Sequence, residues 1–467
     1  MPLTEALFDT VFINDLGHVV AGIVAGFLSG LVPGVGNTIM LFLLYPILMD
    51  SSLFQMLVFY VALASVSQFS GSVIATVFGV PGESSSLPAV REGKRLFERG
   101  VGNFAISSAA MGSVFGSLVS TLVVLGLLPF VAMGIMKFYS TNVQFFLMWT
   151  VTLSVCALLG TSWRQNLMVF AIGVVLGMVG EHMMPSFVFA KDLLPYRQFP
   201  MLYEGLPLFP VVVALYVFPT LWQTREQFKD FRYESTRDYT DDASTWTHIR
   251  EWWRHRWSTL RGSAFGAMVG LMPYISTTVA SNTSYAFEKK RGTRNGTYRG
   301  DGDMDSLVAA ETANNSCILV QLMPLLLLGV PMTAGESVLL SLIDSNSHVL
   351  NWQVTLEQNI FTKLALWFIL INVAAIMLCW PMVRHVNLLK RFSMNQMMWG
   401  TALILVLLVF YTGSQQNATW YFFVVMVMLL PLGYLLRRTE TLILLIAFIL
   451  QDKLMHATVV FYNINFG

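Results

Sequence analysis

The chain has 467 residues, of which 55% are hydrophobic and only 12% are Asp, Glu, Lys or Arg. Soluble globular chains carry about 25% charged residues, so this chain could not keep its surface hydrated, which excludes a soluble enzyme and a disordered protein. The formal net charge of +1 leaves no basic excess for neutralising phosphates, so a nucleic-acid partner is excluded too.

The remaining class is a polytopic membrane protein. Its apolar stretches would hold about ten to twelve spans of roughly 20 residues each. These stretches are continuous and do not alternate between polar and apolar residues, which predicts an all-α transmembrane protein and argues against a β-barrel.

The first long apolar run is interrupted between Gly30 and Thr38 (GLVPGVGNT). Proline removes a backbone donor and glycine permits positive φ, so a helix is not expected to run through Pro33 to Gly36. Asn37 and Thr38 follow this first break, and we expect them to cap a new helix.

The next apolar run carries a polar stretch and then a second break. The polar stretch runs from Ser65 to Ser72, and the second break, from Gly79 to Pro88, reads GVPGESSSLP. The Pro-Gly pair is expected to end one segment, and the serines after it supply hydroxyls at the start of the next helix.

A charged stretch from Gln223 to Ser258 separates two halves, and tryptophans alternate with arginines near its end. Beside membrane spans this pattern indicates an amphipathic interfacial helix and not a nucleic-acid patch. We therefore divide the chain into a first membrane half (1–222), a polar linker (223–258) and a second membrane half (259–467).

The second half carries the same kinds of interruption. Its first break, Gly270 to Thr278, reads GLMPYISTT, and a polar loop follows from Glu288 to Asp305. The polar run ETANNS (311–316) precedes another break, GVPMTAGES, which begins at Gly329. A carboxylate inside a membrane is costly and typical of function, so Glu311 is a candidate if it lies there.

The two halves share one register at an offset of 240 residues. The coinciding pairs are Gly22 with Gly262, Gly26 with Gly266, Gly30 with Gly270, Pro33 with Pro273, Thr38 with Thr278 and Tyr45 with Tyr285. GxxxG spacing alone is typical of helix packing through small residues, but the shared proline, threonine and tyrosine predict an internal repeat.

Basic residues fall in opposite loops of the two halves. The loop after Tyr45 lacks Lys and Arg, whereas its counterpart after Tyr285 has five. The bias reverses after the second break, because residues 91–99 are basic and residues 344–358 contain neither Lys nor Arg. Basic loops stay in the cytoplasm, so the halves are predicted to be inverted-topology repeats with broken or re-entrant helical hairpins.

Paired breaks with polar neighbours indicate a substrate cavity inside the membrane. Irregular backbone persists in a bilayer only where it is buried in protein or lines a cavity, and the N-termini of half-helices favour carboxylates. Pro-Gly turns at the membrane surface and simple interhelical hydrogen bonding remain alternatives. The candidate substrate-binding residues are Asn37, Thr38, Ser72, Gly82, Glu83, Ser84, Ser85, Thr278, Asn314, Asn315, Thr333, Gly335 and Glu336, and the candidate ion-coupling residues are Glu311, Asn314 and Asn315.

Neither a metal site nor an enzymatic site is expected. The cysteines and histidines lack metal-ligand spacing, and no P-loop occurs, so we predict no cofactor and no ATP hydrolysis by this chain. No Ser-His or Ser-Lys pairing is recognisable in the sequence, which disfavours an intramembrane hydrolase.

The interrupted segments resemble the large membrane subunit of the tripartite tricarboxylate transporter family. The segments that carry the resemblance are GLVPGVGNTIM, FSGSVIATVFGVPGESSSLP, REGKRLFERGVGNFAISSAAMGSVFGS and AAETANNSCILVQLMPLLLLGVP. In the second half, Pro-Tyr-Ile-Ser and Pro331-Met332 stand where the family has Pro-Gly motifs.

The resemblance implies a multi-pass subunit of the bacterial inner membrane that imports small di- or tricarboxylates by symport with Na⁺ or H⁺. It implies three kinds of partner besides membrane lipid, namely the carboxylate substrate, a periplasmic substrate-binding protein and a small membrane subunit. The glycines missing from the second half leave an alternative open, a non-transporting membrane scaffold or assembly protein that retains the transporter fold.

Overall fold

The structure is a computed structural model that describes residues 10–138, 140–158, 162–179, 202, 205–228, 233–235, 238–272, 277–298, 300, 302–346, 348 and 350–466. Within these ranges the regular elements are helical, which confirms the predicted all-α class. Six of the described helices are long and apolar enough to cross a membrane, and two shorter apolar helices accompany them. The estimate of ten to twelve spans from the sequence is higher, and the number six refers only to long helices among the described residues.

The chain forms two compact units. Unit 1 comprises Met1–Ala132 and Phe231–Ser393, and unit 2 comprises Met133–Asp230 and Met394–Gly467. Unit 1 therefore contains the segments of both sequence halves in which the breaks lie, and unit 2 contains the remainder of each half. The repeat boundaries proposed from the sequence stay a prediction.

Unit 1 contains most of the helices that bear on the candidate site. They are α1 (Thr10–Leu31), α2 (Gly36–Leu43), α3 (Tyr45–Leu48), α4 (Leu53–Phe78), a 3₁₀ turn (Ser84–Ser86), a π-helical turn (Ala89–Gly93), α5 (Lys94–Glu98), α6 (Gly102–Phe138), which extends into unit 2, α11 (Thr245–Arg254), α12 (Arg256–Gly270), α13 (Thr277–Arg294), α14 (Met304–Leu328), α15 (Ala334–Ser345), α16 (Trp352–Glu357), α17 (Ile360–Val383) and a 3₁₀ turn (Val386–Arg391).

Unit 2 contains the remaining described helices. They are α7 (Thr141–Leu158), α8 (Trp163–Gly177), α9 (Leu208–Val212), a π-helical turn (Val213–Val217), α10 (Phe218–Gln227), α18 (Met394–Gln415), α19 (Thr419–Leu436) and α20 (Thr441–Asn465).

The repeated glycines bring helices into backbone contact in both halves. A Cβ atom at Gly26 would lie 2.7 Å from the carbonyl oxygen of Leu63 on α4, and one at Gly266 would lie 2.2 Å from that of Ala313 on α14. Helix α1 therefore packs on α4 as α12 packs on α14. The GxxxG interpretation as helix packing is confirmed at these positions.

Helices α4 and α14 occupy the centre of unit 1 and run in opposite directions. The side chain of Ser65 contacts Asn315, and further along α4 Ser72 lies beside Glu311, which comes earlier in α14. Every residue of α14 from Ser306 to Met323 is buried. An antiparallel pair of equivalent helices is what an inverted repeat requires, although the inversion itself stays a prediction.

The breaks occur where the sequence predicts them. Helix α1 ends at Leu31, Gly34 in the break adopts a positive φ of 81°, and Gly36, the first residue of α2, adopts a positive φ of 52°. Helices α4 and α14 each end at a left-handed glycine, Gly79 and Gly329, at equivalent places in the two halves. These conformations favour glycine because a Cβ atom would clash with the backbone.

The expectation that Asn37 and Thr38 cap α2 is wrong. The helix begins at Gly36 after Val35, which provides no side-chain cap, and the Thr38 hydroxyl instead donates to Asn37 Oδ1 over 3.3 Å. The equivalent turn in the second half, residues 273–276, lies outside the described residues.

Near the end of the predicted linker lies the amphipathic helix α11, capped by Ser244. His248 on this helix is buried, and its imidazole lies 2.7 Å from Ser107 Oγ on α6 and 3.1 Å from Asp241 Oδ1. Phe104 and Trp380 pack on the same ring. A single buried imidazole therefore fastens α11 to the membrane helices of unit 1.

Candidate functional site

The two breaks of the first half meet at Glu83. One carboxylate oxygen of Glu83 accepts hydrogen bonds from the backbone N–H of Asn37 (3.0 Å) and from the hydroxyl of Ser67 (2.7 Å). Asn37 belongs to the first break, Glu83 to the second and Ser67 to the polar stretch of α4. One carboxylate thus fixes three segments that lie far apart in the sequence.

Close backbone contact at glycines makes this junction possible. A Cβ atom at Gly82 would lie 2.1 Å from the carbonyl oxygen of Gly30 and 2.6 Å from the Cα of Gly71. A Cβ atom at Gly30 would in turn lie 2.2 Å from the carbonyl oxygen of Ser67. Because these obstacles are backbone atoms, a side chain at Gly82 would require the second break to move away from α1 and α4.

The serines of the second break of the first half contact helix α13 of the second half. Ser84 is exposed, and its hydroxyl lies 2.9 Å from that of Thr278 at the start of α13. The hydroxyl of Ser281 donates to the carbonyl oxygen of Ser85 over 2.7 Å. The structure therefore brings together Ser84, Ser85 and Thr278, as the sequence interpretation requires.

The equivalent break of the second half is built around Glu336. Thr333 caps α15 by accepting a hydrogen bond from the Glu336 N–H, and Glu336 Oε2 accepts one from the Met332 N–H. The carboxyl group is fully buried, and Glu336 Oε1 has no hydrogen-bond partner. In each half, therefore, a glutamate of the second break accepts a hydrogen bond from a backbone N–H group. Glu83 binds that of Asn37 in the first break, and Glu336 binds that of Met332 in its own break.

Tyr60 on α4 connects the second break of the first half with the second break of the second half, and it was not predicted from the sequence. Its hydroxyl lies 3.4 Å from Thr333 Oγ1, and its ring covers Gly335, where a Cβ atom would lie 2.9 Å from the phenol oxygen. The same hydroxyl lies within electrostatic range of both Glu83 and Glu336. An apolar run offers no sequence signal that would single out this tyrosine.

A second group of candidates lies between α4 and α14 and is buried. We name it the α4–α14 polar cluster, and its members are Gln68, Ser72, Glu311, Asn314 and Asn315. Each is at most 4% exposed. Ser72 and Asn314 lie beside the Glu311 carboxyl group, and no ion pair to Glu311 is found in the described part of the chain.

Within the described part of the chain, several polar atoms of the α4–α14 polar cluster lack a hydrogen bond of good geometry, even where they lie beside the Glu311 carboxyl group. They are Gln68 Oε1, Ser72 Oγ, Glu311 Oε1, both side-chain polar atoms of Asn314, and Asn315 Nδ2. Proteins pair nearly all their buried polar atoms, because an unpaired one costs about 1–3 kcal/mol. So dense a group of unpaired atoms is unusual among buried polar groups.

Ser65 and Asn372 extend the cluster on one side, and neither was among the candidate site residues predicted from the sequence. The Ser65 hydroxyl lies 2.6 Å from Asn315 Oδ1 and 2.8 Å from Asn372 Oδ1, and Asn372 Nδ2 donates to the Phe368 carbonyl oxygen. Ser65 belongs to the polar stretch that the sequence singles out, but Asn372 stands alone in an apolar helix. Only the packing of α17 on α4 reveals it.

The buried Ser107, His248 and Asp241 resemble a hydrolytic triad in composition. Ser107 is only 2% exposed, and its hydroxyl also contacts the carbonyl oxygen of Phe104. A nucleophile needs access to its substrate, so this arrangement serves as a structural connection. Among the described residues, no group of three His, Cys, Asp or Glu side chains is placed to hold a metal ion.

Comparison with known proteins identifies a family. Residues 16–446 match the family described as the tripartite tricarboxylate transporter TctA family. A curated relative, the "Uncharacterized 52.8 kDa protein in TAR-I ttuC' 3'region" of Agrobacterium vitis, is 26% identical over 312 residues. This match spans 66% of the chain and only 60% of the length of the relative. No solved structure matches the chain.

Proposed function

The chain belongs to the tripartite tricarboxylate transporter TctA family, a family of transporters and not of enzymes, and we propose that it imports small di- or tricarboxylates by coupling to an ion gradient. In this proposal a periplasmic binding protein delivers the substrate and a small membrane subunit completes the system in the bacterial inner membrane. The observation that carries the proposal is the α4–α14 polar cluster, because its unpaired atoms lie between the central helices of the two halves.

The chemistry of the cluster supports binding of a cation or a proton. Its unpaired oxygen atoms come from one carboxylate, two amides and one hydroxyl, which are ligands for a hard cation. An isolated buried carboxylate is costly unless a proton or a cation neutralises it. Glu311 therefore has a physical reason to bind one of them, and Na⁺ and H⁺ are the two coupling ions that we propose.

The contacts at the breaks support a substrate site in which binding of the substrate depends on this cation. Glu83 and Glu336 occupy backbone N–H groups that would otherwise attract a substrate carboxylate. Two carboxylates close to an anionic substrate would repel it, so a cation should enter with the substrate. The exposed Ser84 and its neighbour Thr278 remain to donate hydrogen bonds to the substrate.

The proposal is tested by a substitution whose effects on stability and transport have opposite signs. Asn314→Leu removes two unpaired buried atoms and keeps most of the volume, so the protein should become more stable, by up to about 1–3 kcal/mol. Gradient-driven uptake should nevertheless be lost. The protein is reconstituted in proteoliposomes, and uptake of labelled di- and tricarboxylates is measured with a Na⁺ gradient and, separately, with a proton gradient.

Asn166→Leu is the matched control. Asn166 is a buried asparagine in unit 2, and its Nδ2 donates to the Cys156 carbonyl oxygen over 2.8 Å, so its replacement should lower stability. Uptake per folded molecule should be unchanged. Wild-type uptake by Asn314→Leu, or by Asn314→Ala combined with Ser84→Ala, would contradict the proposed site. Absence of uptake by the wild-type chain with all partners present would favour the membrane scaffold.

A further inference from the structure

A groove in unit 2 combines an apolar wall with two arginines at one end. It has a volume of about 270 Å³ and lies between α10, α18 and α19. Its apolar wall is formed by Phe218, Leu221, Met398, Ala402, Leu430 and Tyr434, and its charged end by Arg225 and Arg437. None of these residues belongs to the transport site proposed above, so the groove needs a separate explanation.

Arg225 is held in place and has N–H donors that can still form hydrogen bonds. Its Nε atom donates to Asn395 Oδ1 over 2.8 Å, and its guanidinium lies over the rings of Trp222 and Trp399, at 5.3 and 5.6 Å from their centroids. A guanidinium has five N–H donors, and hydrogen bonds to the described residues use one of them. The remaining donors can bind an anion without rearrangement of the side chain.

Arg437 is also incompletely paired. Its Nη1 atom donates to the Tyr434 carbonyl oxygen, whereas its buried Nε atom has no hydrogen-bond partner and lies 4.0 Å from Glu226 Oε1. Glu226 already accepts a hydrogen bond from Trp222 Nε1. Among the described residues at this end of the groove, the two guanidiniums of Arg225 and Arg437 face the one carboxylate of Glu226, a formal excess of one positive charge that matches one phosphodiester.

The charged end of the groove coincides with an end of two apolar helices. Asn395 is in the first turn of α18, and Arg437 directly follows α19, while residues 416–418, which join these helices at their other ends, contain no Lys or Arg. The positive-inside rule places the arginine-bearing end on the cytoplasmic side. That leaflet carries the anionic phospholipids, and tryptophans such as Trp222 and Trp399 are typical of its interface.

We propose that this groove binds one anionic phospholipid, with its phosphodiester between Arg225 and Arg437 and an acyl chain along the apolar wall. The apolar lining favours a lipid over a free anion, because inorganic phosphate would leave that wall without a partner. Arginine presents its donors in a planar fork that suits phosphate oxygens. The proposal is independent of the substrate transported by unit 1.

The test is a lipid titration of the purified full-length protein in a neutral detergent. Bound phosphatidylglycerol and phosphatidylcholine are counted by native mass spectrometry, and inorganic phosphate is added in a separate arm. The wild-type protein should retain one phosphatidylglycerol in preference to phosphatidylcholine. Arg225→Gln combined with Arg437→Gln should weaken phosphatidylglycerol binding about 25-fold, since each arginine contributes about fivefold.

Two further variants separate loss of the proposed lipid site from other effects of the substitutions. Arg164→Gln combined with Arg438→Gln removes two exposed arginines of the same unit outside the groove, and it should leave the retained lipid unchanged. Ala402→Phe fills the apolar wall without altering charge and should reduce lipid binding even if the arginine variant fails to fold. Equal retention of both lipids, displacement by millimolar inorganic phosphate, or full retention in Ala402→Phe would overturn the proposal.

Discussion

The contact between the second break and helices α1 and α4 allows a graded prediction at Gly82. In Gly82→Ala the new methyl group would lie 2.1 Å from the Gly30 carbonyl oxygen, whereas an ordinary contact is 3.4–4 Å. The break must therefore move by more than 1 Å. A shift of that size removes the hydrogen bond between Glu83 Oε1 and the Asn37 N–H, which is 3.0 Å long.

The expected cost combines two terms. Overpacking at a tight site costs about 1–3 kcal/mol, and the loss of a hydrogen bond to a charged acceptor costs a further 1.5–3 kcal/mol or so. The local stability of the break should therefore fall by about 2.5–6 kcal/mol. Hydrogen exchange of peptides that span residues 30–38 and 79–88 should speed up, and uptake in proteoliposomes should fall.

Two other glycines provide graded comparisons. A Cβ atom at Gly71 would lie 3.3 Å from the Glu83 N atom, so Gly71→Ala should have a smaller effect. At Gly126, within α6, no atom lies within 4 Å of the Cβ position, and alanine is favoured over glycine in a helix by about 1 kcal/mol. If Gly82→Ala showed the same hydrogen-exchange rates and the same uptake as Gly126→Ala, the inferred backbone contact would be wrong.

Two further predictions concern single side chains that fasten segments of unit 1. His248→Ala should leave the Ser107 hydroxyl and the Asp241 carboxylate without their shared partner and lower the stability by about 2–4 kcal/mol. Limited proteolysis near α11 should reveal this loss of stability. As a control, the variant His456→Ala, which replaces an exposed histidine, should be cleaved like the wild type. Thr333→Ala should remove the cap of α15 and lower stability by about 1 kcal/mol in thermal unfolding, and Thr333→Ser should restore it. Equal stability of the alanine and serine variants would show that the cap is unimportant.

The positions of the breaks could be predicted from the sequence because their causes are local. Proline cannot donate a backbone hydrogen bond, and Gly34, Gly36, Gly79 and Gly329 adopt conformations that other residues avoid. The capping of α2 by Asn37 and Thr38 was predicted wrongly, since the Asn37 N–H is bound by a carboxylate that lies 46 residues away. No local pattern can anticipate such a partner.

The candidate site was predicted in part. Glu311, Asn314 and Asn315 are conspicuous because polar residues are rare in this chain, and the structure places them together with Ser72. Tyr60 and Asn372 were missed because each stands alone in an apolar helix. Their roles depend on which helices pack together, and this depends on contacts between distant segments.

By itself the sequence determined the membrane class, the helical content and the places where helices break, because these follow from hydropathy and from the backbone chemistry of proline and glycine. Only the tertiary structure decided which breaks meet and which polar atoms stay unpaired. Glu83 joins two breaks because Gly30, Gly71 and Gly82 allow backbone contact, and the α4–α14 polar cluster exists because two helices from different halves pack side by side. Such contacts depend on side-chain size and direction in three dimensions, which no one-dimensional pattern contains.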